Sequence, residues 1–149
     1  MFQELKNKKV LFITTKNLDY LRNTQELRLL REQAAQVSVI GVKDKSYPLR
    51  LIKVFFKLLF TSCKKYDVVF VGFAPQLIVP FWSFKFKRSE LYIDFFISMY
   101  DTLCFDRKKF SPDSFAGKRL LNIDKKTLRQ ADKIICDTKA HGNYFAQEL

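Results

Sequence analysis

Glycine and proline are scarce in this chain, four of each in 149 residues. That excludes collagen-like and low-complexity architectures. Cysteine is scarce as well: Cys63, Cys104 and Cys136 are odd in number, far apart and without CxxC spacing. They form neither a disulfide framework nor a zinc site, and they fit a reducing, cytosolic compartment. His141 is the only histidine. One histidine makes no metal site, and no serine or cysteine stands at nucleophile-motif spacing to it. Residues Phe2 to Lys6 lack the character of a signal peptide. The uncharged stretch from Val68 to Phe84 contains Gly72, Pro75, Gln76 and Pro80. It falls short of the about 20 apolar residues that a membrane span needs, and reads as a buried strand, a turn and a short helix.

Acidic residues are in deficit: 15 Asp and Glu stand against 27 Lys and Arg, a formal net charge of +12. The excess points to an anionic partner, whether nucleic acid, anionic membrane or a phosphorylated small molecule. What the chain has in quantity is apolar material, 48% hydrophobic and 15% aromatic residues, enough for an ordinary core. That excludes wholesale disorder, and the length fits one domain over residues 1–149. Phe beside Lys or Arg suits the lipid headgroup boundary and tilts the choice of partner towards a membrane.

The apolar pattern alternates between two periods. Val10–Ile13 reads as a short strand buried on both faces, and Val37–Ile40, Tyr66–Val71, Leu91–Phe95 and Lys133–Cys136 read as the strands that follow it. Between them lie helical stretches. Asn23-Thr24-Gln25-Glu26 resembles a capping box, with Asn23 as N-cap and Glu26 three residues on. Pro48 opens a helix running to Lys65, on which Arg50, Lys53, Lys57, Thr61 and Lys64 fall on one stripe and the rest is Leu, Ile, Val and Phe. A short helix is expected over Gln76–Trp82, a long loop over Ser98–Asp113, a helix over Ser114–Gln130 and a last one from His141. Strand and helix in alternation imply an α/β, Rossmann-like three-layer sandwich with a mostly parallel sheet. Ligands in such folds gather at the carboxyl ends of the strands. The segments to search are therefore Thr14–Arg22, Gly72–Gln76, Asp94–Asp106 and Asp137–His141.

Four stretches taken in order carry a resemblance: Val10-Leu11-Phe12-Ile13-Thr14-Thr15, Asp67 to Gly72, Ile93 to Asp101, and Ala131 to Thr138. With this order and spacing the chain resembles the N-terminal domain of family 4 (group 1) GT-B glycosyltransferases of the bacterial cell-surface polysaccharide type. The resemblance spans essentially the whole chain. It implies the acceptor-side half of an enzyme that transfers a hexosyl unit from a nucleotide-sugar to a saccharide, commonly a lipid-linked one, in capsule, exopolysaccharide or cell-wall synthesis. In that family a C-terminal domain, absent from this chain, holds the nucleotide-sugar. The chain is then either cut at the domain border or one part of a split enzyme, and inactive alone. No metal or other cofactor is implied, since GT-B enzymes stabilise the departing diphosphate with protein cations and helix dipoles. The resemblance also implies a cytoplasmic protein, peripheral on the inner face of the cell membrane.

On the matching segments, Asp94 and Asp101 are the candidate catalytic acids, able to accept a hydrogen bond or proton from an attacking hydroxyl. Asp94 has an alternative reading as a loop cap or a partner of Arg107. Thr15, Lys16, Asn17 and Arg22 after the first strand are candidates for binding the acceptor. Many family members carry a Gly-rich turn here; this loop has none, so Lys16 and Arg22 supply positive charge in its place. Gly72, Phe73, Gln76, Ser98, Thr138 and His141 complete the acceptor-binding set, although Gly72 and Pro75 are also explained by a tight turn and His141 by a surface helix. The helix from Pro48 and the cluster Phe81–Arg88 offer a basic, aromatic surface for an anionic membrane. Two other readings stand beside this one. A non-catalytic subunit would recruit a partner transferase to the membrane. A nucleic-acid-binding domain would rest on charge alone, with no helix-turn-helix, RNP-like strand or zinc finger, and no nucleic acid is expected as partner.

Overall fold

The computed structural model describes residues 3–149 and builds a three-layer α/β sandwich around five parallel strands. These are β1 (Lys9–Ile13), β2 (Gln36–Ile40), β3 (Val68–Val71), β4 (Glu90–Asp94) and β5 (Lys133–Ile135), in the spatial order β2-β1-β3-β4-β5. The order reverses once, between β1 and β3, which makes that point the topological switch of the sheet.

Alternation along each strand divides the core. Leu11, Ile13, Val69, Val71, Leu91 and Ile93 face one layer. There they meet Val54 and Leu58 of α2 (Tyr47–Phe60), Val79 and Phe86 of α3 (Val79–Phe86), and Leu128 of the helix Phe115–Gln130. Val10, Phe12, Val68, Phe70 and Tyr92 face the other layer, covered by Leu27 and Leu30 of α1 (Leu21–Gln33) and by Leu5. All four β3 residues are buried, as an uninterrupted apolar run in a central parallel strand requires.

Two aspartates at strand starts extend the ladder. Asp67 accepts the amide of Lys9 at 2.7 Å and donates its own amide to the Lys9 carbonyl at 2.9 Å. Asp132 does the same with Leu91, at 2.7 and 2.9 Å. Each acid thus closes a ring on a neighbouring strand at the end where the sheet would leave an amide open.

Local readings are corrected in four places. The capping box is not formed: α1 begins at Leu21, its N-cap Tyr20 makes no side-chain cap, and Asn23 is buried inside the helix. There Asn23 accepts from the Thr14 hydroxyl at 3.2 Å and donates to the Asn17 carbonyl at 2.7 Å. The helix from Pro48 ends at Phe60, and a separate single turn covers Cys63–Lys65. The short helix expected over Gln76–Trp82 is a 3-10 turn, Pro75–Leu77, followed by α3 at Val79–Phe86. The expected loop from Ser98 is helical at its start, with α4 (Met99–Asp101) running into a π turn, Thr102–Asp106. The remaining helices are α5 (Phe115–Gln130) and α6 (Lys139–Glu148).

Candidate functional site

The carboxyl edge of the sheet holds a compact charge cluster. Arg22, one residue into α1, directs its guanidinium across the end of β4 and clamps both carboxylate oxygens of Asp94. Its remaining amino group reaches Asp137, just past β5. Asp94 has no exposure to solvent, so a two-pronged arginine is what keeps a carboxylate tenable at that depth. The Asp94 bonds raise the Arg22 guanidinium above its ordinary range, and its carbon lies 4.1 Å from the Phe96 ring centre. Asp94 therefore pairs with Arg22 rather than Arg107.

Glu26, one turn along α1, completes the cluster. Its Oε1 is 3.6 Å from Arg22, while Oε2 is buried without a donor. Burial, with the neighbouring Asp94, pushes its carboxyl up to about 9, which favours the protonated form at neutral pH. Gly72 permits this approach: a Cβ there would stand 3.2 Å from Glu26 Oε2 and 3.1 Å from the Phe12 ring. The left-handed residue of the turn is not Gly72 but Ala74, with φ 55°.

The loop after β1 closes on the loop after β3. Thr15 donates its hydroxyl to the Phe73 carbonyl at 3.1 Å and shares a hydrogen bond with the Tyr47 hydroxyl at 3.0 Å. Lys16 lies over the rings of Tyr20 and Phe73, which meet edge to face at 5.7 Å. Asn17 is half-buried, and its side-chain oxygen finds no donor. The crevice at the switch point is thus occupied by the protein's own side chains.

The open space lies one strand further on, in two hollows on either side of Phe96 and Ile97. The first, about 260 Å³, sits beyond β3 and β4. Tyr47, Phe73 and Phe96 give it aromatic walls, and Asp94, Gln76 and Arg107 its polar groups. Gln76 is 2% exposed and donates to the Ile97 carbonyl at 2.6 Å, which fixes one wall. The second hollow, also about 260 Å³, is lined by Ser98, Asp101, Asp106, His141 and Tyr144. Asp101 accepts the Tyr144 hydroxyl at 3.0 Å; burial and this bond push the tyrosine up to about 12.

A third buried acid holds the segment between the hollows. Asp124 of α5 accepts the Ser98 hydroxyl at 2.7 Å and the amide of Tyr100 at 2.9 Å. Burial raises its carboxyl despite these bonds. Ser98 in turn accepts the Asp101 amide at 2.9 Å as the N-cap of α4. Thr138 plays the same part for α6, accepting the His141 amide at 3.1 Å.

The twelve candidate residues therefore divide. Phe73, Gln76 and Asp94 share the first hollow, and Ser98, Asp101 and His141 the second. Thr15, Lys16, Asn17, Arg22, Gly72 and Thr138 line neither; they brace the edge around them. Glu26, Asp137, Tyr47, Arg107 and Asp124 were missed. In the sequence Arg107 reads only as a partner of Asp94, Asp137 only as the start of a segment to search, and Glu26 only as part of a cap with Asn23. Among the described residues, no group of three His, Cys, Asp or Glu side chains is arranged to hold a metal ion.

Fold and edge define a doubly wound, parallel α/β domain with two hollows at its carboxyl rim. The chain matches no protein-family model, no curated protein and no solved structure.

Proposed function

We propose that this domain is the acceptor-binding half of a nucleotide-sugar-dependent hexosyltransferase of the family 4 GT-B kind, acting on a lipid-linked saccharide in cell-surface polysaccharide synthesis. The observation that carries the reading is the aromatic-walled hollow with Asp94, Gln76 and Arg107 among its lining groups. A sugar ring offers apolar C–H faces to Tyr47, Phe73 and Phe96, and hydroxyls to the few polar groups.

In the proposed reaction the acceptor hydroxyl attacks the anomeric carbon of the donor. The bond to the nucleoside diphosphate breaks, and the hydroxyl proton passes to a base. Asp94, with both oxygens held by Arg22, serves to position groups along this edge. Asp101, half-exposed in the adjoining hollow with His141 nearby, is the better placed proton acceptor. The donor would be presented to this rim by a second Rossmann-like domain.

Amide chemical shifts during titration with an alkyl glycoside test the reading. Shifts concentrated at Phe73, Gln76, Phe96 and Arg107, and lost in Phe73→Ala, are expected. Shifts confined to the outer surface of α2, or displacement of the glycoside by single-stranded DNA, would remove the acceptor-site reading.

A further inference from the structure

The side of the molecule covered by α2 and α3 breaks the ordinary rule of burial. On α2 the inward stripe is Arg50, Val54 and Leu58. Leu49, Ile52, Phe56, Leu59 and Phe60, at i, i+3, i+7, i+10 and i+11, form a second apolar stripe on the outer face. Phe60 is 83% exposed and Phe56 60%. The patch continues onto α3, where Phe84 is 61% and Phe81 57% exposed. Phe55 joins the two helices through ring contacts with Phe81 at 6.2 Å and Trp82 at 5.5 Å. A contiguous aromatic surface of this kind is rare on a free-standing soluble face.

Cations frame the patch. Lys53 and Lys57 run along one flank of α2, with Lys53 paired to Asp44 and Lys57 bonded to the Gly41 carbonyl at 3.1 Å. Where the two helices end, a groove of about 550 Å³ has Leu59, Phe60 and Phe84 on its apolar side and Lys64, Lys87 and Arg88 on its cationic side. Among the described residues these three cations meet no carboxylate. From Tyr47 to Arg88 the only acid is Asp67, which is turned onto the Lys9 amide.

The geometry points to an anionic lipid bilayer as the occupant of this face, with the exposed phenylalanines in the acyl boundary and Lys64, Lys87 and Arg88 among the headgroup phosphates. An acidic protein would satisfy the cations but not the exposed phenylalanines. A purely apolar partner would strand the three cations. A bilayer meets both at once, because its boundary is apolar beneath and anionic above. The surface also leads to the hollow at the carboxyl rim: Tyr47 opens α2 and lines that hollow, and exposed Leu49 follows two residues later. Docking is independent of the sugar chemistry proposed above, so either can fail while the other stands.

Vesicle flotation tests it on the whole chain, with the emission of Trp82, the single tryptophan, as a second readout. Binding to vesicles of phosphatidylcholine with phosphatidylglycerol, a blue shift of Trp82, and little binding to phosphatidylcholine alone are expected. Phe60→Ser with Phe84→Ser is expected to weaken partitioning by about tenfold or more. Lys87→Gln with Arg88→Gln is expected to weaken it by roughly fivefold per cation. Unchanged circular dichroism would show that both variants fold. Absence of binding to the anionic vesicles, or equal binding by the Phe variant, overturns the assignment. So does a lipid-free dimer that the Phe variant dissolves, since the face would then pair copies of this chain.

Discussion

At the carboxyl rim the protein buries charge; across α2 and α3 it exposes hydrophobe. At the end of β4, Asp94 is fully buried and Glu26 nearly so, with Arg22 partly exposed over them, while Phe60 and Phe84 stand in solvent. Each region inverts the usual distribution, and the two inversions have different energetics. A buried charge network is tenable only when its members satisfy one another, so each depends strongly on the rest. Exposed aromatics satisfy nothing in the isolated chain, so their removal leaves the fold largely untouched.

The largest effect should come from breaking the rim network. Arg22→Gln leaves Asp94 buried without its cation and is expected to cost about 3 kcal/mol in urea unfolding. Adding Asp94→Asn to that variant should recover most of the loss. If the double variant is no better than the single one, the pair does not act as a unit.

Glu26 sharpens the comparison through pH. Folded, it keeps its proton up to about pH 9, whereas in the unfolded chain it loses it near its ordinary value. Between those limits the folded state binds more protons, so stability falls as pH rises through the window. Glu26→Gln, which fixes a donor beside Asp94, should flatten that decline and stabilise the protein by about 1 kcal/mol or more at pH 8. Unfolding free energies of both proteins across neutral and alkaline pH provide the check; parallel curves would contradict a protonated Glu26. The smallest effect belongs to the other region. Phe60→Ser and Phe84→Ser should each change stability by no more than about 0.5 kcal/mol while impairing vesicle binding. A large loss of stability would place those rings in a protein interface.

The sequence carried the sheet more completely than the rim. Five short apolar runs alternating with helical stretches indicated a parallel sheet; β1, β3 and β4 are buried as strands covered on both faces must be, while β2 and β5 at the edges are only partly so. The aspartates of the Asp67 and Asp132 motifs take part in the ladder itself, which explains their place at the strand starts. Local spacing failed at Asn23 and Glu26. The pattern of a capping box also fits a helix that has already begun, and here both side chains turn towards the sheet. The segment after β4 was misread for a related reason. Its helical turns are held by Asp124, 24 to 26 residues away in sequence, and no local pattern reports so distant an acceptor. At Gly72 what matters is space for Glu26 and Phe12, while the left-handed backbone of the turn belongs to Ala74.

Sequence alone determined the layers, the strand succession, the basic excess and the supply of aromatics, because each follows from hydrophobic periodicity and composition. Tertiary structure decided which charges are buried together, where the hollows open and which stripe of α2 faces outward. Those outcomes depend on how separate strand ends and helices are brought side by side, and spacing along the chain does not encode distance across it.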